Sequence, residues 1–115
     1  MELKRVVVTG LGALTPIGNT VKDYWNGLVN GVSGAAPITY FDATLFKTQF
    51  ACELKNFVAE DFFDRKEARK MDRFTQYALV ASDEAIKDAG LDFTQIDTDR
   101  VGVIWGAGIG GLEPF

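Results

Sequence analysis

The sequence predicts an α/β fold. Two apolar runs, Val6–Val8 and Val101–Trp105, lack the polar alternation of a half-exposed strand and are typical of strands buried on both faces of a sheet. The order strand, helix, short strand, helices, strand indicates helices layered on a sheet. Because two or three strands make a poor sheet by themselves, we expect the chain to be a piece of a larger α/β domain.

The first half of the chain begins with the predicted strand and continues through a glycine- and proline-rich connection over residues 10–18. Thr20, followed by Asp23, resembles a capping box and predicts the start of a helix. Asn30-Gly31 predicts its end. That helix has one apolar stripe, formed by Val21, Trp25, Leu28 and Val29.

Residues 31–64 are less regular, and Gly34 and Pro37 indicate loop. Alternation over Thr48–Leu54 predicts one short strand in this region.

Two aspartates predict helix starts in the second half. Asp64 precedes Arg65–Ala68 and Asp72 precedes Arg73, so one kinked helix or two consecutive helices fit. The helical pattern is strong from Arg73 to Ala89, and Gly90 ends it. One face of this helix is rich in alanine, which allows close approach of a neighbour: Phe74, Tyr77, Ala78, Ala81 and Ala85.

Composition excludes several classes of protein. The 115 residues are 47% hydrophobic and carry a formal net charge of −4, with one cysteine and no histidine. An internal disulfide, a Ser-His-Asp triad and a histidine-ligated metal site are therefore ruled out within this sequence. No signal peptide or membrane span is visible. We expect a cytoplasmic protein that uses no cofactor, does not enter a membrane and binds no nucleic acid.

Residues 65–73, RKEARKMDR, form a basic island of five basic and two acidic side chains. The island carries +3, so the rest of the chain carries −7. A helix would place its cations on one face, and an acidic partner would offset their mutual repulsion. A solvated helix face, partly neutralised by nearby acidic residues, is the alternative. The cations in question are Lys66, Arg69, Lys70 and Arg73.

The segment Gly106–Gly111, GAGIGG, satisfies the G-x-G-x-x-G pattern of dinucleotide-binding turns. The sequence shows no helix after it, which that site requires, so the alternative is that the glycines permit close approach or positive φ angles. Cys52 lies beside Glu53, and a carboxylate does not stabilise a thiolate nucleophile. We therefore interpret Cys52 as structural.

Four segments together resemble β-ketoacyl-acyl carrier protein synthases in order and spacing. They are RVVVTGLGALTPIGN (5–19), SGAAPITYFDATLFKTQFA (33–51), RKEARKMDRFTQYALVASDEAIKDAGL (65–91) and RVGVIWGAGIGGL (100–112). The third is most similar to the type II enzymes, which elongate chains in bacterial fatty-acid synthesis. The resemblance implies that residues 1–115 are the incomplete N-terminal half of a thiolase-like, layered αβαβα fold, in a homodimeric acyltransferase.

The resemblance also implies the reaction, a decarboxylative Claisen condensation of an acyl thioester with malonyl-acyl carrier protein. In the family, a cysteine accepts the acyl chain from the phosphopantetheine arm of acyl carrier protein, and two histidines assist. Those residues lie further along the family's sequence. This chain has no histidine, and Cys52 does not match the nucleophile. We assign no catalytic residue here and expect the piece to be inactive alone.

Two features carry over by position. Lys66, Arg69 and Lys70 match the family's docking patch for the acidic carrier protein, which favours docking over the solvated-face alternative. Ile109 matches an isoleucine in the acyl-chain pocket that moves to admit longer chains, although Ala107 stands where many relatives have serine. The alternatives are a polyketide-type ketosynthase or its non-catalytic chain-length partner, a dinucleotide-binding module, and a fragment that acts only through the basic helix.

Overall fold

The computed structural model describes residues 1–112, in which three α-helices and one small sheet are formed. Helix α1 spans Val21–Val29, α2 spans Arg65–Ala68 and α3 spans Arg73–Asp88. Of the two helical arrangements that the sequence allows over 65–89, the structure has two consecutive helices. The prediction that no helix follows the glycine segment falls partly on residues 113–115, which lie outside the described residues.

The predicted ends of the helices are confirmed. The Thr20 hydroxyl accepts a hydrogen bond from the backbone N–H of Asp23 at 3.1 Å and caps α1. The Asp64 carboxylate accepts from the N–H of Lys66 at 3.0 Å and caps α2. Gly90 follows α3 with a φ of 64°, the left-handed conformation that glycine adopts without strain.

The sheet is a two-residue ribbon. Strand β1, Ala36–Pro37, pairs antiparallel with β2, Phe50–Ala51, and Ala36 lies opposite Ala51. Strand β2 lies within the predicted strand at 48–54, whereas β1 occupies the predicted loop. A proline is tolerated in β1 because a ribbon this short consists only of edges, where the missing N–H costs no ladder bond.

Helix α3 is the centre of the packed region. Two glycines of the connection over 10–18, Gly10 and Gly12, lie directly on its alanine face, as that face predicts. A Cβ on Gly12 would overlap the carbonyl oxygen of Ala81, and one on Gly10 would overlap that of Ala85. In the part of the chain that the structure describes, the buried apolar side chains are Ala43, Ala68, Ala78 and Ala81. Contact between backbones therefore replaces interlocking of large side chains here.

Two carboxylates of α3 hold the same connection by hydrogen bonds. Glu84 accepts from the backbone N–H of Ala13 at 2.8 Å and from that of Val21 at 2.9 Å, the first residue of α1. Asp88 accepts from the N–H of Leu11 at 2.9 Å. A negative charge at the N-terminus of α1 also complements the helix dipole.

Lys55 joins three loops. Its ammonium group donates hydrogen bonds to the carbonyl oxygens of Pro16, Gly34 and Glu53 at 3.1, 2.8 and 3.3 Å. Its own carbonyl accepts from the side-chain amide of Asn19 at 2.8 Å. These loops are far apart in sequence, so Lys55 fixes the path of the chain around the sheet.

The two predicted buried strands are not formed within residues 1–112. Val6–Val8 and Val101–Trp105 are in neither strand nor helix, and Val6 and Ile104 are 89% and 100% exposed. The physical reason is that strand formation needs a hydrogen-bonded neighbour, and no strand of the described chain lies beside either segment. The apolar stripe of α1 is also exposed, with Trp25 at 64%.

None of the helices described over residues 1–112 combines the length and the apolar character that a membrane crossing requires.

Candidate functional site

The three cations predicted to dock a carrier protein, Lys66, Arg69 and Lys70, are called the docking cluster below. They lie on α2 and the turn that follows it, and all three side chains are exposed. Lys70 pairs with Glu67 at 2.8 Å, and those side chains remain 69% and 61% exposed, so the pair contributes little stability. Among the described residues, neither Lys66 nor Arg69 forms an ion pair. The cluster can therefore meet an acidic partner without first breaking strong contacts.

The predicted row of four cations is corrected at its end, because the chain turns between α2 and α3. The backbone N–H of Met71 bonds to the carbonyl of Ala68 at 3.3 Å in this turn, and Arg73 begins the next helix. The Arg73 guanidinium lies 4.4 Å from the centre of the Tyr40 ring, a cation–π geometry. Arg73 thus belongs to a different surface from the docking cluster.

Gln76 fixes the turn that carries the cluster. Its buried side-chain amide donates to the carbonyl oxygens of Ala68 at 2.8 Å, at the end of α2, and of Met71 at 3.4 Å, in the turn that follows. Helix α2 and the first turn of α3 are consequently held together. Sequence reasoning missed Gln76, because a glutamine inside a helical pattern carries no signal that it will be buried.

The glycine segment Gly106–Gly111 runs without regular structure. Ile109 is 80% exposed in it, so the described residues do not form an acyl pocket around this side chain. Gly110 has a φ of 84°, and Gly111 lies against the carboxylate of Asp72. A strand does not precede the segment and, as far as Leu112, no helix follows it, so the dinucleotide-binding context is not met in these residues.

An open cavity of about 450 Å³ lies between β2, the start of α3 and the end of the glycine segment. Its walls are mainly apolar and include Ile38, Leu54, Phe74 and Leu112. Cys52 is exposed on one wall, so it does not fill the core as a structural cysteine would. Sequence reasoning missed the cavity because its walls come from four separate parts of the chain.

One tyrosine beside the cavity has a perturbed acidity. Burial raises the pKa of Tyr77 above its ordinary value of 10.0, and a hydrogen bond with Tyr40 adds to the rise, while Arg73 opposes it. Tyr77 therefore stays neutral at physiological pH and acts as a packing residue, with the Phe57 ring edge-on at 5.1 Å.

The fold and the sequence together show the class of protein to which the chain belongs. A solved structure described as "The ishigamide ketosynthase/chain length factor" is similar over 84% of this chain and 23% of its own, with a TM-score of 0.68 and 38% sequence identity. The chain is thus a partial α/β structure of the thiolase-like ketosynthase type. The model of the "Beta-ketoacyl synthase, N-terminal domain" family matches residues 3–114, and the chain belongs to that family.

Two curated relatives are similar over nearly the whole chain. The 3-oxoacyl-[acyl-carrier-protein] synthase 2 of Synechocystis sp. is 55% identical over 113 residues, which are 98% of this chain and 27% of the relative. The enzyme of the same name from Staphylococcus aureus is 56% identical over 112 residues, 97% of this chain and again 27% of the relative. The chain spans about a quarter of the length of these relatives. The predicted family and fold class are confirmed.

Proposed function

We propose that residues 1–115 are the N-terminal part of a 3-oxoacyl-acyl carrier protein synthase that elongates fatty acids. The relatives of that name, at 55% and 56% identity, support the assignment. The proposal includes a homodimeric, cytoplasmic enzyme. Within it, the apolar segments Val6–Val8 and Val101–Trp105 are strands of the central sheet, and their exposed β-branched side chains support that role.

The proposed reaction is a decarboxylative condensation. A cysteine thiolate attacks the carrier thioester, so that an enzyme thioester forms and the phosphopantetheine thiolate of the carrier leaves. The malonyl group then loses CO₂. The resulting carbanion attacks the acyl thioester, so that a C–C bond forms and the cysteine thiolate leaves. Residues 1–115 contain no histidine, and the exposed Cys52 lies in sequence beside the carboxylate of Glu53, which does not stabilise a thiolate. We expect this piece to bind substrate carriers and to be inactive in condensation by itself.

Docking of acyl carrier protein is the part of this function that these residues perform. The observation that carries it is an exposed basic cluster in a chain whose net charge is −4. Lys66, Arg69 and Lys70 provide positive charge that attracts the strongly acidic carrier and steers its approach. The turn fixed by Gln76 would hold the three cations in one arrangement.

The docking proposal is tested by carrier binding to the full-length protein, measured by fluorescence anisotropy over a salt series. We expect Lys66→Glu together with Arg69→Glu to weaken binding by about tenfold at low salt and to flatten the salt dependence. Lys22→Glu is the matched control, because Lys22 lies on α1 and lines a cavity with Asp88, the last residue of α3. Unchanged affinity of the double variant at low salt would contradict docking at this cluster.

Ile109 is proposed as the gate of the acyl pocket. The support is its position within a glycine segment and its 80% exposure, which leaves room for movement. In the full-length enzyme, Ile109→Phe is expected to shorten the longest acyl chain that is elongated, as read by mass spectrometry of the products. Leu45→Phe is the control, since Leu45 is 97% exposed and lies outside both the glycine segment and the proposed sheet strands. Elongation of long chains by the Ile109→Phe enzyme would remove Ile109 from this role.

A chain-length partner of a polyketide ketosynthase is the second candidate, favoured by the 38% identical solved structure. The two candidates differ in the catalytic cysteine. A full-length Cys52→Ser protein incubated with a radiolabelled acyl-carrier thioester becomes labelled if a nucleophilic cysteine lies elsewhere in the protein. Labelling supports the synthase, whereas no labelling supports the non-catalytic partner.

A further inference from the structure

One close contact connects the glycine segment to the start of α3. A Cβ built on Gly111 would overlap the Cγ, Oδ1 and Oδ2 atoms of Asp72, so the carboxylate occupies the space that any other residue at 111 would need. The positive φ of Gly110, 84°, turns the chain immediately before this contact. By contrast, a Cβ on Gly106 or Gly108 would meet no atom within 4 Å. Gly111 is therefore the glycine whose missing side chain permits this contact.

The side chain of Asp72 does not cap α3, although its position at the start of that helix suggests that it would. It is the N-cap residue of α3, but its side chain makes no capping hydrogen bond. Thr20 and Asp64, the corresponding residues of α1 and α2, both cap with their side chains. The Asp72 carboxylate is half-buried and lies on the glycine segment instead.

The contact is continuous with the docking cluster. Asp72 is two residues from Lys70, and Gln76 ties the turn between them to α3 through the carbonyls of Ala68 and Met71. On the other side of the contact, Gly111 is two residues from Ile109. A continuous set of hydrogen bonds and direct contacts therefore joins the cluster to the glycine segment.

We infer that Asp72 is a positioning residue that holds the glycine segment against the start of α3, so that carrier protein bound at Lys66, Arg69 and Lys70 restrains the segment that carries Ile109. Asp72 touches neither substrate nor reacting atoms in this role. The inference rests on the proposed function, because it requires that the carrier protein binds at this cluster. It adds a physical link between the place where the carrier docks and the residue proposed to admit its acyl chain.

The test is hydrogen–deuterium exchange of the backbone amides of residues 106–112 in the full-length protein, with and without acyl carrier protein. We expect the bound carrier to slow exchange by about fivefold, the lower end of coupling between linked sites. Asp72→Asn keeps the shape of the side chain and should keep the effect, whereas Asp72→Ala should lose it. Carrier affinity should change by less than about twofold in both variants, because neither touches the docking cluster.

Glycine substitutions give an independent measurement. Gly111→Ala places a methyl group on the carboxylate, so the carrier should no longer slow exchange in 106–112. Gly108→Ala is the matched control in open space and should behave as the unmodified protein. If Gly111→Ala does not fold, Asp72→Ala gives the answer alone, because it removes atoms and needs no new space.

Each outcome has one meaning. Carrier binding that slows exchange equally in the unmodified, Asp72→Ala and Gly111→Ala proteins overturns the inference and leaves the docking proposal standing. Carrier binding without any slowing in the unmodified protein also overturns the inference alone. Absence of carrier binding to the unmodified protein overturns docking and the coupling together. Loss of the effect in Asp72→Ala and Gly111→Ala, with retention in Asp72→Asn and Gly108→Ala, supports the inference.

Discussion

The packed region around α3 and the two apolar segments, Val6–Val8 and Val101–Trp105, differ in what their structure depends on. Each helix begins and ends through residues a few positions away, such as Thr20, Asp64 and Gly90, so it forms from local instructions. The apolar segments have equally clear sequence patterns but form no strand in the described chain, because a strand is completed by a neighbour. A local sequence pattern is therefore enough to specify a helix, whereas a strand also needs a hydrogen-bonded neighbour.

The two regions also differ in how tightly their glycines are held. Gly12 lies on the backbone of α3, where the nearest atoms are a carbonyl oxygen, a carbonyl carbon and an amide nitrogen. Gly102, in the apolar segment 101–105, has no atom within 4 Å of the position that a Cβ would take. One alanine substitution in each region thus measures the difference between them directly.

The largest effect is expected at these glycines. Gly12→Ala should lower the free energy of unfolding of the full-length protein by about 3 kcal/mol, since backbone atoms cannot move aside as a flexible side chain can. Gly102→Ala should cost less than Gly12→Ala, because no backbone lies against Gly102 within residues 1–112 and any loss must come from packing in the proposed sheet. Urea unfolding followed by circular dichroism measures both. Comparable losses in the two variants would mean that the segment is as tightly packed as the centre.

The next largest effect is expected at Glu84, which receives two backbone N–H groups from the connection and from α1. Glu84→Ala should cost about 2 kcal/mol, because it leaves these partly buried donors unpaired. Asp83→Ala is the control on the same helix and removes only an exposed pair with Lys87, worth less than about 0.5 kcal/mol. Equal midpoints of thermal unfolding for the two variants would disprove the role of Glu84.

The smallest effect is a pH dependence on the sheet side of the packed region. The hydrogen bond from the Thr39 hydroxyl to Glu53, at 2.7 Å, holds the pKa of that carboxyl below its ordinary value of 4.5, although desolvation opposes it. The stabilisation is thus complete above pH 4.5 and is lost as the pH falls through the lowered pKa.

Thr39→Val should raise the pKa of Glu53 towards its ordinary value and reduce the loss of stability in acid. NMR titration of the carboxyl carbon measures the first, and unfolding at pH 3 to 6, about the range of carboxyl titration, measures the second. Thr44→Val, beside Asp42, is the control and should leave Glu53 unchanged. An unchanged Glu53 titration in Thr39→Val would show that the hydroxyl does not set its acidity.

The features that the sequence predicts well depend on interactions between residues that are close together in the sequence. The capping residues, the break at Asp72 and the alanine face of α3 each depend only on residues close by in the sequence. Strand β1 could not be predicted, because Pro37 argues against a strand unless its single partner is known. The hydrogen bonds made by the side chains of Glu84 and Lys55 join residues up to 71 positions apart, and no local sequence pattern predicts them.

The candidate site divides in the same way. The cations at 66, 69 and 70 are adjacent in sequence and fall together on α2 and its turn, as expected. Arg73 departs from them because the turn changes the direction of the chain, which charge spacing along one ideal helix cannot show. The contact between Asp72 and Gly111 brings together residues 39 positions apart, so it becomes visible only in the folded chain.

The geometry of the Lys55 ammonium group limits which residues can replace this lysine. It has three N–H bonds in a tetrahedral arrangement, and each finds a carbonyl oxygen from a different stretch of the chain. Arginine would bring the same charge with its donors spread in one plane, and so could not address the three oxygens together. Position 55 therefore requires the shape of the lysine ammonium group as well as its positive charge. Lys55→Arg, usually regarded as conservative, would weaken the hydrogen bonds to all three loops at once.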